Sequence, residues 1–397
     1  MKPAVRRVVD PLKEFLHAEA AGGIALAVAA LIAVVWVNSP LAGSYTDLWS
    51  QELTLGGWQL SVTEDLQHWV NDGLMAVFFF VVGLEIKREL VTGELRDPRA
   101  AALPAVAALG GVVLPAAIFL AWTWDSNAAQ GWGIAMATDI AFAVGLLALL
   151  GSRVSPGAKL FLLTIAIVDD IIAISVIAAV YTDTVSLPWL LSAVGGLTVV
   201  VLLRRVGVGQ IWPYVAIGGV VWACTLESGV HATIAGVLLG LLTPTGEVHG
   251  RDVLVTLEHR LHPWSAFVII PLFALANAGV VLSGSALGEA VRSPLALGIA
   301  SGLVVGKMLG IGGATFLMLR LGWGVLPYGV HRAQIWGVAA VAGIGFTVSL
   351  FIADLAFDDP ALTEVAKIGI FAGSLLSGII GAALLSRSRA TAEPGGQ

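Results

Sequence analysis

The chain has 397 residues, of which 57% are hydrophobic and only 12% are charged, and its mean hydropathy is +0.90. These values exclude an ordinary soluble domain and indicate a polytopic membrane protein. The formal charge of −6 is spread over short loops, which excludes a basic surface for nucleic acid. The single cysteine, Cys224, excludes an internal disulfide and a cysteine-based metal or redox centre.

Twelve apolar segments are candidates to cross a bilayer, since a spanning helix needs about 20 residues. They cover residues 20–37, 66–85, 100–122, 131–150, 158–180, 187–203, 211–226, 229–243, 264–282, 294–319, 333–357 and 364–386. The sequence therefore predicts an all-α polytopic membrane protein with about 12 transmembrane helices. Residues 1–386 form one integral membrane unit in this interpretation, and residues 387–397 form a disordered cytoplasmic tail.

The basic residues set the predicted orientation of these spans. Eighteen of the 21 Lys and Arg residues fall in the N-terminal arm, the C-terminal tail and alternate loops, and Arg292 alone lies in the opposite loops. Because Lys and Arg concentrate on the cytoplasmic side, both termini are predicted to be cytoplasmic. The loop after the first span contains LTLGGWQLSV (53–62), whose alternation around Gly56-Gly57 predicts a small extracellular β-hairpin.

Four ionisable residues lie near the middle of predicted spans. The stretch AIVDDIIAIS (166–175) contains Asp169 and Asp170, and Asp139 and Lys307 fall at similar depths, whereas Asp72 is intermediate. A charge at this depth is costly, so each such residue is a candidate functional residue. A buried carboxyl can also be a neutral hydrogen-bonding link between helices, but three acids and a lysine at one depth favour a cation pathway.

Adjacent residues on a helix diverge by about 100°, so Asp169 and Asp170 cannot face the same neighbour. One of them is predicted to pair with Lys307, while the other faces a water-filled cavity and binds a cation. Burial disfavours the charged form of each group, which lets protons compete with a hard cation at such a site.

Two spans carry helix-weakening residues near their centres. GWGIAMATDIAFAVG (131–145) contains Asp139, and GVAAVAGIGFTVSLF (337–351) is interrupted by glycines and a threonine. Interrupted segments in both halves of a chain are typical of transporters whose site lies between broken helices, with charged groups offsetting the helix ends.

Several blocks together resemble the NhaA-type sodium/proton antiporters, and the resemblance covers nearly the whole chain. The blocks are NDGLMAVFFFVVGLEIKREL (71–90), ATDIAFAVG (137–145), VDDIIAI (168–174), SGVHATIAGVLLG (228–240), LEHRLHPW (257–264), PLFALANAGV (271–280), VVGKMLGI (304–311) and GIGFTVSLFIA (343–353). The resemblance implies two inverted-topology repeats with crossed, partly unwound helices, and alternating access between a core bundle and interface helices. It also implies a multi-pass protein of the bacterial cytoplasmic (inner) membrane, in contact with lipid and forming a homodimer through the 53–62 hairpin.

The resemblance further implies electrogenic, pH-regulated export of Na⁺ or Li⁺ in exchange for H⁺, with no cofactor. Asp170 is then the principal Na⁺ ligand and proton carrier, Asp169 also binds the ion and pairs with Lys307, and Thr138 helps to coordinate the ion. Asp139 and Lys307 compensate helix dipoles. The implied pH-sensing residues at the cytoplasmic mouth are Glu85, Arg88, Glu89, Glu258, His259 and His262. His231 also matches a family position, although a lone histidine at a span end is more often structural.

One departure from the family pattern is Met308, which follows Lys307 where the family has proline; it puts the pH range of activity in question. Two other functions use similar residues. An intramembrane aspartyl protease has two membrane aspartates, but the residues before Asp169 lack the Gly-x-Gly-Asp pattern and the chemistry gives Lys307 no role. A sodium-coupled solute symporter is closer, and it needs an additional substrate pocket.

Overall fold

The computed structural model describes residues 3–57, 60–182, 185–248, 251–327 and 329–388, which are mainly helical. The helices are α1 (Pro3–Val37), α2 (Ala42–Trp49), α3 (Leu66–His68), α4 (Met75–Val91), α5 (Pro98–Thr123), α6 (Ile140–Leu149), α7 (Pro156–Val180), α8 (Leu187–Val206), α9 (Ile211–Glu227), α10 (Thr233–Leu242), α11 (Val253–Trp264), α12 (Ile270–Asn277), α13 (Gly284–Ala290), α14 (Pro294–Ser301), α15 (Lys307–Arg320), α16 (Arg332–Val341), α17 (Phe346–Ala356) and α18 (Pro360–Arg387). Short 3₁₀ segments cover Glu94–Arg96, Asn127–Met136 and Gly151–Arg153, and π-helical turns cover Trp69–Leu74, Ser265–Ile269 and Gly302–Gly306.

Within the described residues, six helical segments are long and apolar enough to cross a membrane: Ala20–Val37, Pro98–Thr123, Pro156–Val180, Leu187–Val206, Pro294–Arg320 and Pro360–Arg387. Two further spans are bent pairs. The segment Asn127–Met136 meets α6 at 41°, and α16 meets α17 at 44°, which raises the number to as many as eight. The all-α membrane class is thus supported by the structure, whereas twelve spans and inverted repeats stay predictions. Of the predicted tail (387–397), Arg387 is the last residue of α18 and Ser388 follows it, while residues 389–397 lie outside the described residues.

Two pairs of short strands complete the described secondary structure. Strand β1 (Glu52–Gly57) pairs antiparallel with β2 (Leu60–Asp65), and β3 (Glu247–Val248) pairs with β4 (Arg251–Asp252). Gly57 is opposite Leu60, so the glycine pair lies inside β1 and not in the connecting loop. The turn position predicted from Gly56-Gly57 is therefore wrong, because glycine in a strand pattern can accompany pairing as well as a turn.

The chain divides into two compact units, and each unit has its own packing. The first contains residues up to Ala25, Asp97–Ala173 and residues from Val280 onward. In it α5 packs along α15 and α14, and α18 packs against α14 and α16. Asp97 and Asp359 cap the first turns of α5 and α18, each followed by a proline, which suits the first position of a helix.

The second unit contains Leu26–Arg96 and Ile174–Gly279. In it α4 packs along α10, α9 packs against α8 and α10, and α11 also contacts α4. A buried amide pair links the π-helical turn before α4 to the last residue of α12. Asn277 Nδ2 donates to Asn71 Oδ1 over 2.7 Å, and Gln67 Nε2 donates to Asn277 Oδ1 over 3.0 Å. These polar side chains therefore satisfy one another inside an apolar unit.

Candidate functional site

Two helix breaks meet inside the first unit. Residues 137–139 separate the 3₁₀ segment Asn127–Met136 from α6, and residues 342–345 separate α16 from α17. Asp139 N donates to Ile344 O over 2.6 Å, and Thr138 Oγ1 donates to Ala342 O over 2.8 Å. Each break thus satisfies backbone groups that the other leaves without helical partners.

Glycine is required at this crossing because neighbouring backbone and side-chain atoms leave no room for a Cβ atom. A Cβ atom on Gly345 would lie 2.2 Å from Ser349 Oγ and 3.0 Å from Ala137 O. A Cβ atom on Gly343 would lie 2.2 Å from Leu303 O. The glycines read from the sequence as helix-weakening residues therefore also permit the close approach of the two breaks.

Asp139 lies at the N-terminal ends of two helices and is almost fully buried. Its Oδ1 accepts from Phe142 N over 3.0 Å at the start of α6. Its Oδ2 accepts from Thr347 N over 3.0 Å, and from the Thr347 hydroxyl, at the start of α17. Since helix N-termini carry partial positive charge, this carboxylate faces the positive ends of both helices.

Lys307 and Asp169 form a wholly enclosed ion pair. Lys307 Nζ lies 2.7 Å from Asp169 Oδ2, and the two side chains are 0% and 1% exposed. The ammonium also donates to Thr138 Oγ1 over 3.0 Å. Removing either charge would leave the other buried and unpaired, which is strongly unfavourable.

The Asp169 carboxylate keeps one oxygen available. Its Oδ1 is buried and makes no well-aligned hydrogen bond in the part of the chain that the structure describes. The amide and hydroxyl of Thr138 interact with this carboxylate, so the oxygen has polar neighbours without a fully formed hydrogen bond. Together with Oδ2 and the Thr138 hydroxyl, it gives this region oxygen ligands of the kind that a hard cation prefers.

Asp170 is the adjacent acid on α7, and it is also buried. Its carboxylate interacts electrostatically with Lys307. The hydrogen-bonded salt bridge to Lys307 is nevertheless made by Asp169, as the resemblance implies, because neighbouring side chains on a helix point in different directions. Met308 lies within α15, which begins at Lys307 directly after a π-helical turn and continues without a break.

Part of the implied pH-sensing set comes together in the second unit. Arg88 Nη1 donates to Glu258 Oε1, and Arg88 Nη2 lies 3.6 Å from Glu89 Oε1. Glu258 is buried, and its Oε2 has no hydrogen-bond partner among the described residues. The remaining three, Glu85, His259 and His262, lie on the same two helices, α4 and α11. Of these, His259 is exposed.

Asp72 and His231 also belong to the second unit. Asp72 lies in the π-helical turn Trp69–Leu74, and its backbone oxygen accepts from Trp222 Nε1 over 2.8 Å. His231 Nε2 contacts the backbone oxygen of Tyr181, which agrees with a structural role for this ring.

The structure adds residues that sequence reasoning did not single out. Thr347 binds the Asp139 carboxylate with its amide and its hydroxyl, and Ser374 accepts from the amides at the second helix break. The sequence does place the Thr347 hydroxyl two residues after Gly345, within the interrupted segment. The role of Ser374 could not be predicted from the sequence, because serine is common in membrane helices. The two amides that Ser374 binds are also 28 and 29 residues away along the chain.

The fold and site define a class: a polytopic helical membrane protein with a buried Asp–Lys pair at the crossing of two broken helices, the arrangement of an ion-coupled transporter. The sequence matches the family described as Na+/H+ antiporter 1 over residues 13–385. It is 47% identical over 388 residues to "Na(+)/H(+) antiporter NhaA 1" of Erythrobacter litoralis (strain HTCC2594), covering 97% of this chain and 95% of the relative. It is 47% identical over 394 residues to "Na(+)/H(+) antiporter NhaA" of Albidiferax ferrireducens, covering 98% of this chain and 99% of the relative.

The chain therefore belongs to the Na+/H+ antiporter 1 family. The resemblance identified from the sequence blocks is confirmed. Membership makes the protein a transporter and not an enzyme, so the intramembrane protease is no longer an alternative.

Proposed function

We propose that the protein exchanges Na⁺ or Li⁺ for H⁺ across the bacterial inner membrane, with protons and cation competing for Asp169 and Asp170. The observation that carries this proposal is the enclosed Asp169–Lys307 pair, which has a carboxylate oxygen without a well-aligned hydrogen bond and a second buried acid on the same helix. The relatives are named Na+/H+ antiporters, which supports the same activity.

The charges of the site suggest how one cation can replace two protons. In the proton-loaded state, Asp170 carries one proton, and the Lys307 ammonium holds the second while neutralising Asp169. When a cation binds between the carboxylates, Asp170 releases its proton, and Lys307 releases the other because a second positive charge is then unfavourable. One positive charge replaces two, so each cycle moves net charge and is electrogenic.

Thr138 and Asp139 support this exchange in different ways. The Thr138 hydroxyl, which accepts from Lys307, becomes available as a cation ligand when that bond is broken. Asp139 holds the two helix N-termini at the crossing, and its negative charge offsets their positive ends. We assign Asp170 as the principal cation ligand and proton carrier.

The ionic cluster at Arg88 and Glu258 is a candidate for pH regulation. The pair links α4 to α11, so a change in its charge would alter the contact between the two helices. Glu85, Glu89, His259 and His262 lie on the same two helices and are assigned to the same role. We assign this cluster to the cytoplasmic mouth, with both chain termini on the same side.

The proposed transport unit is a homodimer in lipid, joined through the 53–62 hairpin. A two-stranded hairpin is marginally stable alone, and pairing with a second copy would extend it. The cycle is alternating access, in which the site opens to one side of the membrane at a time.

The test is ion-driven proton movement in proteoliposomes or everted vesicles containing a pH-sensitive dye, with Na⁺, Li⁺ or K⁺ added over a pH series. We expect Na⁺- and Li⁺-dependent dequenching for the wild type and none for Asp170→Asn. The matched control is Asp354→Asn, which removes an exposed acid near the C-terminal end of α17, the end opposite to the helix crossing. An imposed inside-positive or inside-negative potential should change the wild-type rate in opposite directions if exchange is electrogenic.

A silent wild type over the whole pH range, in protein shown to be folded, would contradict the antiporter proposal. Sodium uptake that required an added organic solute would instead favour the symporter. An active Asp170→Asn would leave exchange intact but remove this carboxylate from its mechanism.

A further inference from the structure

Two serines on α18 bind other helices instead of their own. Ser374 and Ser377 are buried, and they lie three residues apart on one face of the helix. A serine within a helix commonly bonds a carbonyl of its own preceding turn, as Ser386 does with Ala383 O over 3.0 Å in the same helix. The different partners of Ser374 and Ser377 therefore require an explanation.

Ser374 caps the start of α17 from outside that helix. Its Oγ accepts from Gly345 N over 3.3 Å and from Phe346 N over 3.2 Å. The first amides of a helix have no partner within it, and Gly345 has no side chain with which to cap them. Ser374 supplies the acceptor that the glycine break lacks.

Ser377 holds the other side of the same crossing. Its Oγ donates to Leu303 O over 3.3 Å, and Leu303 lies in the π-helical turn Gly302–Gly306. Lys307 follows this turn directly. A Cβ atom on Gly343 would lie 2.2 Å from Leu303 O and 2.6 Å from Ser377 Oγ, so the helix break packs closely against this hydrogen-bonded pair.

Hydrogen bonds and short stretches of chain connect these serines to the Asp169–Lys307 ion pair. Ser374 fixes the end of the 342–345 break, and Ala342 O in that break accepts from Thr138 Oγ1. Thr138 in turn accepts from Lys307 Nζ, which pairs with Asp169. Ser377 fixes the turn from which Lys307 begins, so both serines act on the position of the lysine.

We propose that Ser374 and Ser377 are positioning residues for cation binding, which set the second helix break and the Lys307 ammonium relative to Asp169. This inference rests on the proposed exchange at the aspartate pair. The Ser374 oxygen also offsets the positive end of α17, where Asp139 accepts from the next amide. Without it, uncompensated positive charge remains close to the site and opposes cation binding.

The experiment measures the apparent KM for Na⁺ and its pH profile for Ser374→Ala, Ser377→Ala, Ser374→Thr and the same-helix control Ser386→Ala. We expect Ser374→Ala to raise the KM for Na⁺ about fivefold to tenfold, the effect of losing about one hydrogen bond, with Vmax within about twofold of wild type. Ser377→Ala should act in the same direction but less. Ser374→Thr, which keeps the hydroxyl, should restore the KM, and Ser386→Ala should not change it.

Ser374→Cys, of nearly equal volume and weaker acceptor strength, replaces the alanine variant if that protein does not fold, and an intermediate KM is expected. A Ser374 variant with lower thermal stability but an unchanged KM and pH profile would overturn the inference and leave a purely structural role. A silent wild type would contradict the proposed exchange instead. Stabilisation of purified wild type and Ser374→Ala against heat by added Na⁺ or Li⁺ then still tests cation binding; equal stabilisation would overturn the inference.

Discussion

At the residue scale, Asp139 is the group whose partners make the clearest prediction. It accepts hydrogen bonds from two helix N-termini, and an asparagine would turn one acceptor oxygen into a donor facing an amide. We therefore expect Asp139→Asn to lower the free energy of unfolding by about 1–3 kcal/mol. Asp359→Asn is the matched control, since Asp359 caps α18 through one amide at an exposed position, where asparagine is an equally good cap.

Cys224 provides the measurement of unfolding for both variants. It is the single cysteine of the sequence and is buried, so a thiol-reactive fluorescent dye reports unfolding when this side chain becomes accessible. The midpoint for Asp139→Asn should fall by several degrees in detergent, while that of Asp359→Asn should stay close to wild type. Equal midpoints for Asp139→Asn and wild type would show that Asp139 does not hold the two helix ends together.

The charged residues of the site could be predicted from the sequence, but their partners could be predicted only in part. Depth in an apolar span singled out Asp139, Asp169, Asp170 and Lys307, because charge is costly at that depth. Which aspartate meets Lys307 depends on helix rotation, so the residues alone left it open and the family resemblance was needed. Ser374 could not be predicted, because serines in apolar helices commonly hydrogen-bond a carbonyl of their own helix. A serine in such a helix therefore does not by itself indicate a partner elsewhere.

At the element scale, the close approach of α5 and α15 predicts different effects on stability for two glycine substitutions in α15. A Cβ atom on Gly310 would lie 2.1 Å from Gly110 O, whereas one on Gly313, in the same helix, would meet nothing within 4 Å. Gly310→Ala must push the helices apart and should destabilise the protein by about 1–3 kcal/mol. Gly313→Ala should be neutral or stabilising by up to about 1 kcal/mol, because alanine favours helix more than glycine does.

The same dye assay checks this pair, and Na⁺-dependent exchange gives a second measurement. Lys307 is the first residue of α15, three residues before Gly310, so displacement of the helix should also raise the KM for Na⁺ in Gly310→Ala. A Gly310→Ala protein as stable as Gly313→Ala would mean that the two backbones separate at little cost, contrary to the packing observed.

The two helix breaks could be predicted from the sequence, whereas the exact positions of a strand turn and a π-helical turn could not. The interruptions at 137–139 and 342–345 follow from glycine and threonine in apolar runs, and the structure contains both breaks. The position of the β1–β2 turn did not follow from Gly56-Gly57, because strand register depends on pairing across the whole hairpin. The π-helical turn before Lys307 could not be predicted from the sequence. Its residues form an ordinary apolar segment, and tertiary packing decides that this segment is π-helical.

At the scale of the whole molecule, the distribution of basic residues predicts on which side of the membrane each loop lies. In a Cys224→Ser background we place single cysteines at two exposed serines, Ser285 in the loop that contains Arg292, and Ser386 near the C-terminus. Because eighteen of the 21 Lys and Arg residues lie on the side predicted to be cytoplasmic, a membrane-impermeant maleimide on intact cells should label Ser285→Cys and leave Ser386→Cys unlabelled.

Permeabilised cells are the control, and there both positions should react. In everted vesicles the labelling should reverse, so that Ser386→Cys reacts and Ser285→Cys does not. This result also establishes which face of the protein meets the added cation in the exchange assay. The proposed pH-sensing cluster and the C-terminus are predicted to share a side, since both lie among the basic residues of the N-terminal arm, the alternate loops and the tail. Labelling of Ser386→Cys in intact cells would therefore show that the predicted topology is inverted. The Arg88–Glu258 pair would then lie away from the cytoplasmic mouth and could not sense cytoplasmic pH directly.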